Sequence, residues 1–209
     1  YDFWVGGWDF VKNDEPQANQ DFCPYDKMVA HVKEAMDKAV KETWHKKIHS
    51  FNVSAADSDT MLQRCEIIRN SGMEPGSYAF LIDGTTAGWM AVQTLRSHYP
   101  DVFIHFRRAG HGAYTRPENP IGFSVLVLSQ FARLAWASGI HTGTAWVGKM
   151  AGDKSEDITA ADGIRYMKKN GHFFEQSWWT IPETDKDFID LVQRDEDREE
   201  VLRDDSWRG

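Results

Sequence analysis

The sequence predicts an α/β fold of parallel βα units, part of a (β/α)8 barrel that carries an acidic helical insertion. Two observations point there. Short apolar stretches of strand length alternate with longer stretches of helical period, at about one pair per 25–40 residues, which is the rhythm of parallel βα units. Each apolar stretch also ends in polar residues: Lys12-Asn13-Asp14-Glu15, Asn52, Asp83-Gly84, Arg107-Arg108 and His141-Thr142. Barrels of this kind gather their chemistry at the C-terminal ends of their strands.

Taken in order, Tyr1-Asp2-Phe3-Trp4 reads as the interior of an amphipathic helix. Phe10-Val11 is the first strand and runs into a proline stop at Pro16. A helix follows over Tyr25–Thr43, with Met28, Val32, Met36 and Ala39 at helical spacing. Ile48–Val53 is a strand, and a helix over Asp57–Asn70 has Ser54 and Asp57 as candidate N-caps and Gly72 beyond its end. Then come strand Tyr78–Ile82, helix Thr86–His98, strand Val102–His105, helix Ile121–Trp136 and strand Gly139–His141. The last of these helices carries Phe123, Val127, Phe131 and Leu134 on one predicted apolar face. No Gly-x-Gly-x-x-Gly follows the first strand, which weighs against dinucleotide binding. A closed barrel takes eight strands, so these strands make part of one. Residues 1–172 form the predicted barrel portion and 173–206 the acidic insertion. In the insertion Phe188, Leu191 and Val192 suit one face of a short helix, either solvated or in contact with another subunit.

The bulk composition narrows the function. A net charge of −8 and a pI near 5.5 disfavour non-specific nucleic-acid binding and suit a small-molecule partner. Nine tryptophans belong to a chain with a packed core. The only cysteines, Cys23 and Cys65, make neither a disulfide framework nor a metal motif, which suits a reducing, cytoplasmic setting. No apolar run reaches membrane-spanning length and no signal peptide is evident. The start without Met and the abrupt end at Trp207-Arg208-Gly209 suggest an internal fragment of a longer protein.

Four segments carry chemistry. Asp14 and Glu15 together suit a hard cation such as Mg²⁺, which prefers oxygen ligands. Lys12 joins such a site only if its neutral amine is carbamylated by CO₂, which turns a cation into an oxygen anion. Read alone, the same residues also suit a solvated surface turn. In His105-Phe106-Arg107-Arg108-Ala109-Gly110-His111-Gly112 the arginine forks suit a phosphate or carboxylate, or a structural salt bridge. Ser138-Gly139-Ile140-His141-Thr142-Gly143-Thr144 is a strand-end turn with one imidazole. In Val147-Gly148-Lys149-Met150 a lysine between glycines is either a solvated loop residue or a mobile cation that closes over an anionic intermediate.

In this order, the Gly-Gly-x-Asp-Phe-x-Lys-x-Asp-Glu frame, Arg-Ala-Gly-His-Gly, Ser-Gly-Ile-His-Thr-Gly-Thr and Gly-Lys-Met together resemble the large subunit of ribulose-1,5-bisphosphate carboxylase/oxygenase (RuBisCO). KNDEPQANQ and the long insertion resemble its archaeal form II/III branch. The resemblance implies about the second to sixth βα units of the catalytic barrel. It implies a carbamylated Lys12 that binds Mg²⁺ with Asp14 and Glu15, with CO₂ as the activating group. Arg108 and His141 would hold one phosphate of ribulose 1,5-bisphosphate, and His111 would line the site. Lys149 would stabilise the carboxylate formed from CO₂. It further implies O₂ as a competing substrate and a dimer-based homo-oligomer.

Arg107 stands where the family usually has a histidine that takes part in proton transfer, and an always-charged arginine is a poor proton carrier. Trp8, Trp136 and Trp146 replace small residues, and Ala151 stands where many members carry a carboxylate. The family's catalytic base, its remaining phosphate loops and the residues lent by a partner subunit match nothing in these 209 residues. The isolated chain is therefore expected to be inactive, with open sheet edges that invite aggregation. Two other readings remain: a RuBisCO-like enolase or isomerase acting on a related sugar phosphate, and a non-catalytic chain.

Overall fold

The computed structural model describes residues 1–14, 19–116 and 118–142. Among the described residues five strands form one parallel sheet in sequential order: β1 (Phe10–Lys12), β2 (Ile48–Asn52), β3 (Tyr78–Asp83), β4 (Phe103–Arg107) and β5 (Gly139–Ile140). Helices connect them: α1 (Asp2–Val5) precedes β1, and α2 (Tyr25–Thr43), α3 (Ser58–Arg69), α4 (Gly84–Ala87), α5 (Trp89–His98), α6 (Gly112–Thr115) and α7 (Val125–Leu134) follow in turn. Parallel pairing without order reversal is the wall of a (β/α)8 barrel, in which each strand lies beside the next.

The register gives the sheet two distinct faces. Phe51 pairs with Phe80 and Phe80 with Ile104, while Ile82 pairs with Phe106. These residues pack into one apolar core with Val29, Met36 and Ala39 of α2, Met61, Cys65 and Ile68 of α3, and Val92 and Leu95 of α5. Alternation places the intervening residues on the opposite face. There Phe10 pairs with Ile48, Lys12 with Ser50, Leu81 with His105, Asp83 with Arg107, and His105 with Gly139. That face is apolar at its base and polar toward the strand C-termini. Gly139 is needed there, because a Cβ on it would lie 2.6 Å from the Phe103 ring.

Local chemistry sets the helix ends. Asp57 caps α3, its Oδ1 accepting from the Thr60 amide at 2.8 Å, while Ser54 is drawn instead to Asp83. The helix expected over 86–98 is broken at Gly88, whose φ of +86° separates α4 from α5. α7 begins only at Val125, where Ser124 Oγ accepts from the Val127 amide. Its expected apolar face is also reversed. Val125, Leu128, Ser129 and Ala132 are buried, whereas Phe123, Phe131 and Leu134 face outward. This helix is apolar on both sides, so periodicity alone does not choose the inward one. β4 runs on to Arg107, past the expected end at His105.

Two tryptophans adopt a glycine conformation. Trp44 ends α2 with φ +59°, and Trp136 follows α7 with φ +80°. An L side chain in the left-handed region crowds its own carbonyl, which is why glycine prevails at this point of a helix end. Trp44 is 89% exposed and recovers little by packing. Trp44→Gly is expected to stabilise the protein by about 1 kcal/mol, read as a raised midpoint in denaturant unfolding. An unchanged or lowered midpoint would contradict this.

The residues expected to form the acidic insertion, with Glu15, Trp146, Lys149 and Ala151, lie outside the described residues.

Candidate functional site

The polar rim at the strand C-termini is built by hydrogen bonds that cross from strand to strand. Asn13, just past β1, places its Oδ1 to accept from the Asn52 amide at 3.1 Å and to meet His49 Nε2 at 3.3 Å. Asn52 Nδ2 donates to Asp83 Oδ2 at 2.9 Å, and Ser54 Oγ donates to the same oxygen at 3.2 Å. Ser54 Oγ in turn accepts from the Asp83 amide. Asp83 is almost fully buried, and a buried carboxylate needs such donors. This network ties the ends of β1, β2 and β3 together.

On that frame the ionisable side chains converge. Lys12, the last residue of β1, donates from Nζ to Asp14 Oδ1. Arg107, the last residue of β4, reaches the same oxygen, with Nη1 3.1 Å away. Burial tends to raise the Asp14 carboxyl. The hydrogen bond and charge of Lys12, with Arg107 and His141, more than offset that and hold it below the ordinary carboxylate range.

Two histidines stack beside this cluster. His105 of β4 and His141 after β5 have ring centroids 4.5 Å apart at 29°. His105 Nδ1 lies 3.1 Å from Ser50 Oγ, and Phe10 meets its ring edge-on. Burial, then the positive charges of Lys12, Arg107 and Arg108, push His141 down to about 4. Burial pushes His105 well below its ordinary value, and burial takes His49 down to about 3. All three are neutral near neutral pH. His141 Nε2 is buried and has no hydrogen-bond partner among the described residues.

These shifts fix a direction for acid sensitivity. The folded state keeps the three imidazoles neutral, while the unfolded chain protonates them below about pH 6.5. Their stabilising contribution is therefore complete above about pH 6.5 and is lost as pH falls toward 4. Each is expected to steepen the loss by up to about 1.4 kcal/mol per pH unit. Denaturant midpoints measured across that range test this. A flat profile would contradict it.

Of the expected site residues, the structure joins Lys12, Asp14 and Arg107 directly and sets His141 and Arg108 beside them. His111 is the N-cap of α6 and places Nδ1 2.7 Å from Oγ1 of Thr115 at that helix's end. Asp83, Ser54, Ser50 and His105 carry the frame and were not among the expected site residues. The signal for them was present in the sequence, since Asp83 closes its strand and His105 lies two residues before Arg107.

The donor chemistry suits a hard divalent cation in part. Asp14 is held anionic, and Lys12 Nζ sits against it where a carbamate would add a second oxygen anion. Among the described residues no cluster of three or more His, Cys, Asp or Glu could hold a metal. No helix among them is long and apolar enough to cross a membrane.

Fold and site thus define a class: a βα-barrel portion with a lysine–carboxylate cluster and an Arg/His pair at the strand C-termini. Residues 1–186 match the family model "Ribulose bisphosphate carboxylase large chain, catalytic domain", and the chain belongs to that family. It is 46% identical over 179 residues to a ribulose bisphosphate carboxylase of Rhodopseudomonas palustris strain HaA2, covering 85% of this chain and 38% of that one. To the Hydrogenovibrio marinus enzyme of the same name it is 44% identical over 191 residues, covering 88% and 40%. Among solved structures, the octameric Rubisco of Pyrococcus horikoshii OT3 superposes with a TM-score of 0.67 at 35% identity, over 77% of this chain and 38% of that one. The dimeric archaeal Rubisco of Hyperthermus butylicus gives 0.65 at 34%, over 76% and 35%. The chain thus spans about two fifths of the length of the curated relatives it matches.

Proposed function

We propose that the complete polypeptide containing this chain is a ribulose-bisphosphate carboxylase. It would carboxylate, and in competition oxygenate, ribulose 1,5-bisphosphate, with 3-phosphoglycerate as the carboxylation product. The observation that carries this reading is the convergence of Lys12, Asp14, Arg108 and His141 at one rim, from three separate strand ends. Lys12 as a carbamate, with Asp14 and Glu15, would hold Mg²⁺. The cation supplies Lewis acidity toward the substrate's oxygens.

The chain's own residues then divide the remaining work. Arg108 brings a permanent charge suited to a phosphate. The neutral His141 presents a buried Nε2 that can donate to the same group, in the tautomer that carries its proton there. Lys149, on the expected loop, would balance the carboxylate formed from CO₂. His111 would line the site. Assembly as a dimer-based homo-oligomer, and a barrel portion over 1–172 with an acidic insertion over 173–206, complete the proposal.

A RuBisCO-like enolase or isomerase is the second reading, and Arg107 favours it, because an arginine is a poor proton carrier. Radiolabelled CO₂ fixation by the complete polypeptide, with and without Arg107→His, separates the two. Fixation in both, or its recovery in the histidine variant, is the expected result. No fixation in either, with sugar-phosphate enolisation kept, would overturn the carboxylase reading.

A further inference from the structure

Resting on the proposed carbamate–cation site, we propose that Arg107 is an internal rival of the divalent cation for Asp14. The register places Arg107 opposite Asp83 at the end of β4. From there its guanidinium reaches the β1 end and lies 3.1 Å from Asp14 Oδ1, the same oxygen that Lys12 holds. A metal ligand needs that oxygen's lone pairs, and two cationic donors are already on it.

The two cations differ in what can remove them. The Lys12 ammonium gives a proton to solvent, its free amine forms the N–C bond to CO₂, and a second proton leaves that nitrogen, so carbamylation yields an anion and turns this competitor into a ligand. Arg107 has no such route, because an arginine side chain is a permanent cation and does not become an oxygen ligand. Arg108 adds a second permanent cation, and the stacked His105 and His141 bring no anion. A divalent ion arriving at Asp14 must displace the guanidinium or sit beside it. Either way its apparent affinity falls, and in opposite proportion the Arg107–Asp14 pair holds the metal-free state.

The predicted consequence is weak cation loading that a single neutral substitution relieves. Mn²⁺ binding to the complete polypeptide, in bicarbonate buffer, is read from the loss of the free-ion paramagnetic resonance signal. The variants are Arg107→Gln, Arg107→His and Asp14→Asn. Arg107→Gln keeps much of the side chain's length without its charge, so it guards against a histidine-specific effect. Both Arg107 variants are expected to bind Mn²⁺ about fivefold more tightly, since the roughly 1 kcal/mol at the upper end for a partly exposed ion pair corresponds to about a fivefold change. Asp14→Asn is expected to abolish binding in either background. Equal affinity of the parent and both Arg107 variants, with binding still lost in Asp14→Asn, would overturn the rivalry and leave the cation site standing. Binding indifferent to Asp14→Asn would overturn the rivalry and the site together.

Discussion

Lys12→Met in the complete polypeptide is expected to lower CO₂ fixation by at least about 10³-fold, with the fold intact. A group that acts through a metal supplies transition-state stabilisation that nothing nearby replaces, and losses of this order follow when it is removed. Methionine keeps the straight apolar stem of lysine along the strand and removes only the amine. The fold tolerates this because Asp14 keeps its contact with Arg107. The structural frame of the rim, from Asn13 through Asn52 to Asp83, does not involve the Lys12 amine. The measurements are fixation rate and unfolding midpoint on the same preparation. Fixation within about tenfold of the parent, at equal stability, would remove Lys12 from the chemistry.

Arg96→Leu is expected to destabilise the protein by about 3–5 kcal/mol, the cost of stripping one side of a buried charged network. Arg96 is only 6% exposed. Its Nε donates to the Trp136 carbonyl at 3.2 Å, Nη1 to the carbonyls of Pro100 and Val102, and Nη2 to Ser138 Oγ. Ser138 Oγ also accepts from the Ile104 amide, so one hydroxyl links α5, β4 and the approach to β5. The approach it fixes leads directly to His141. Loss of Arg96 is therefore expected to loosen the His141 side of the site as well as the fold, read in the complete polypeptide as a raised KM for the proposed sugar bisphosphate together with a lowered unfolding midpoint. A change below about 1 kcal/mol would show that the carbonyls find other donors.

The sequence already contained most of the framework. Strand positions were legible because each apolar run is short and ends in polar residues, and helix α2 was legible to its end residues from its apolar spacing. What was not legible has specific causes. α7 is apolar on both sides, so Phe131 and Leu134 were read as inward when they face out. Gly88 breaks a helix that composition alone would continue. Arg96 reads as an ordinary charged residue in a helix, because the four acceptors that bury it come from segments 4–42 residues away. The pairing of Arg107 with Asp14 joins the end of β4 to a residue two positions past β1, and those strands sit three apart in the sheet. No local pattern records such a contact. The sequence did show the two arginines and the lysine–carboxylate cluster as separate strand-end features, and the parallel order of the sheet is what brings them to one rim.

The proposed function requires Lys12, as its carbamate, and Asp14 to be ligands of one divalent cation. The most direct measurement is anomalous scattering from crystals of the complete polypeptide soaked in Mn²⁺ and bicarbonate. The expected result is one strong Mn²⁺ peak coordinated by Asp14 and by added density on the Lys12 amine. Lys12 unmodified and still paired with Asp14, with Mn²⁺ absent or bound elsewhere at saturating concentration, would contradict it.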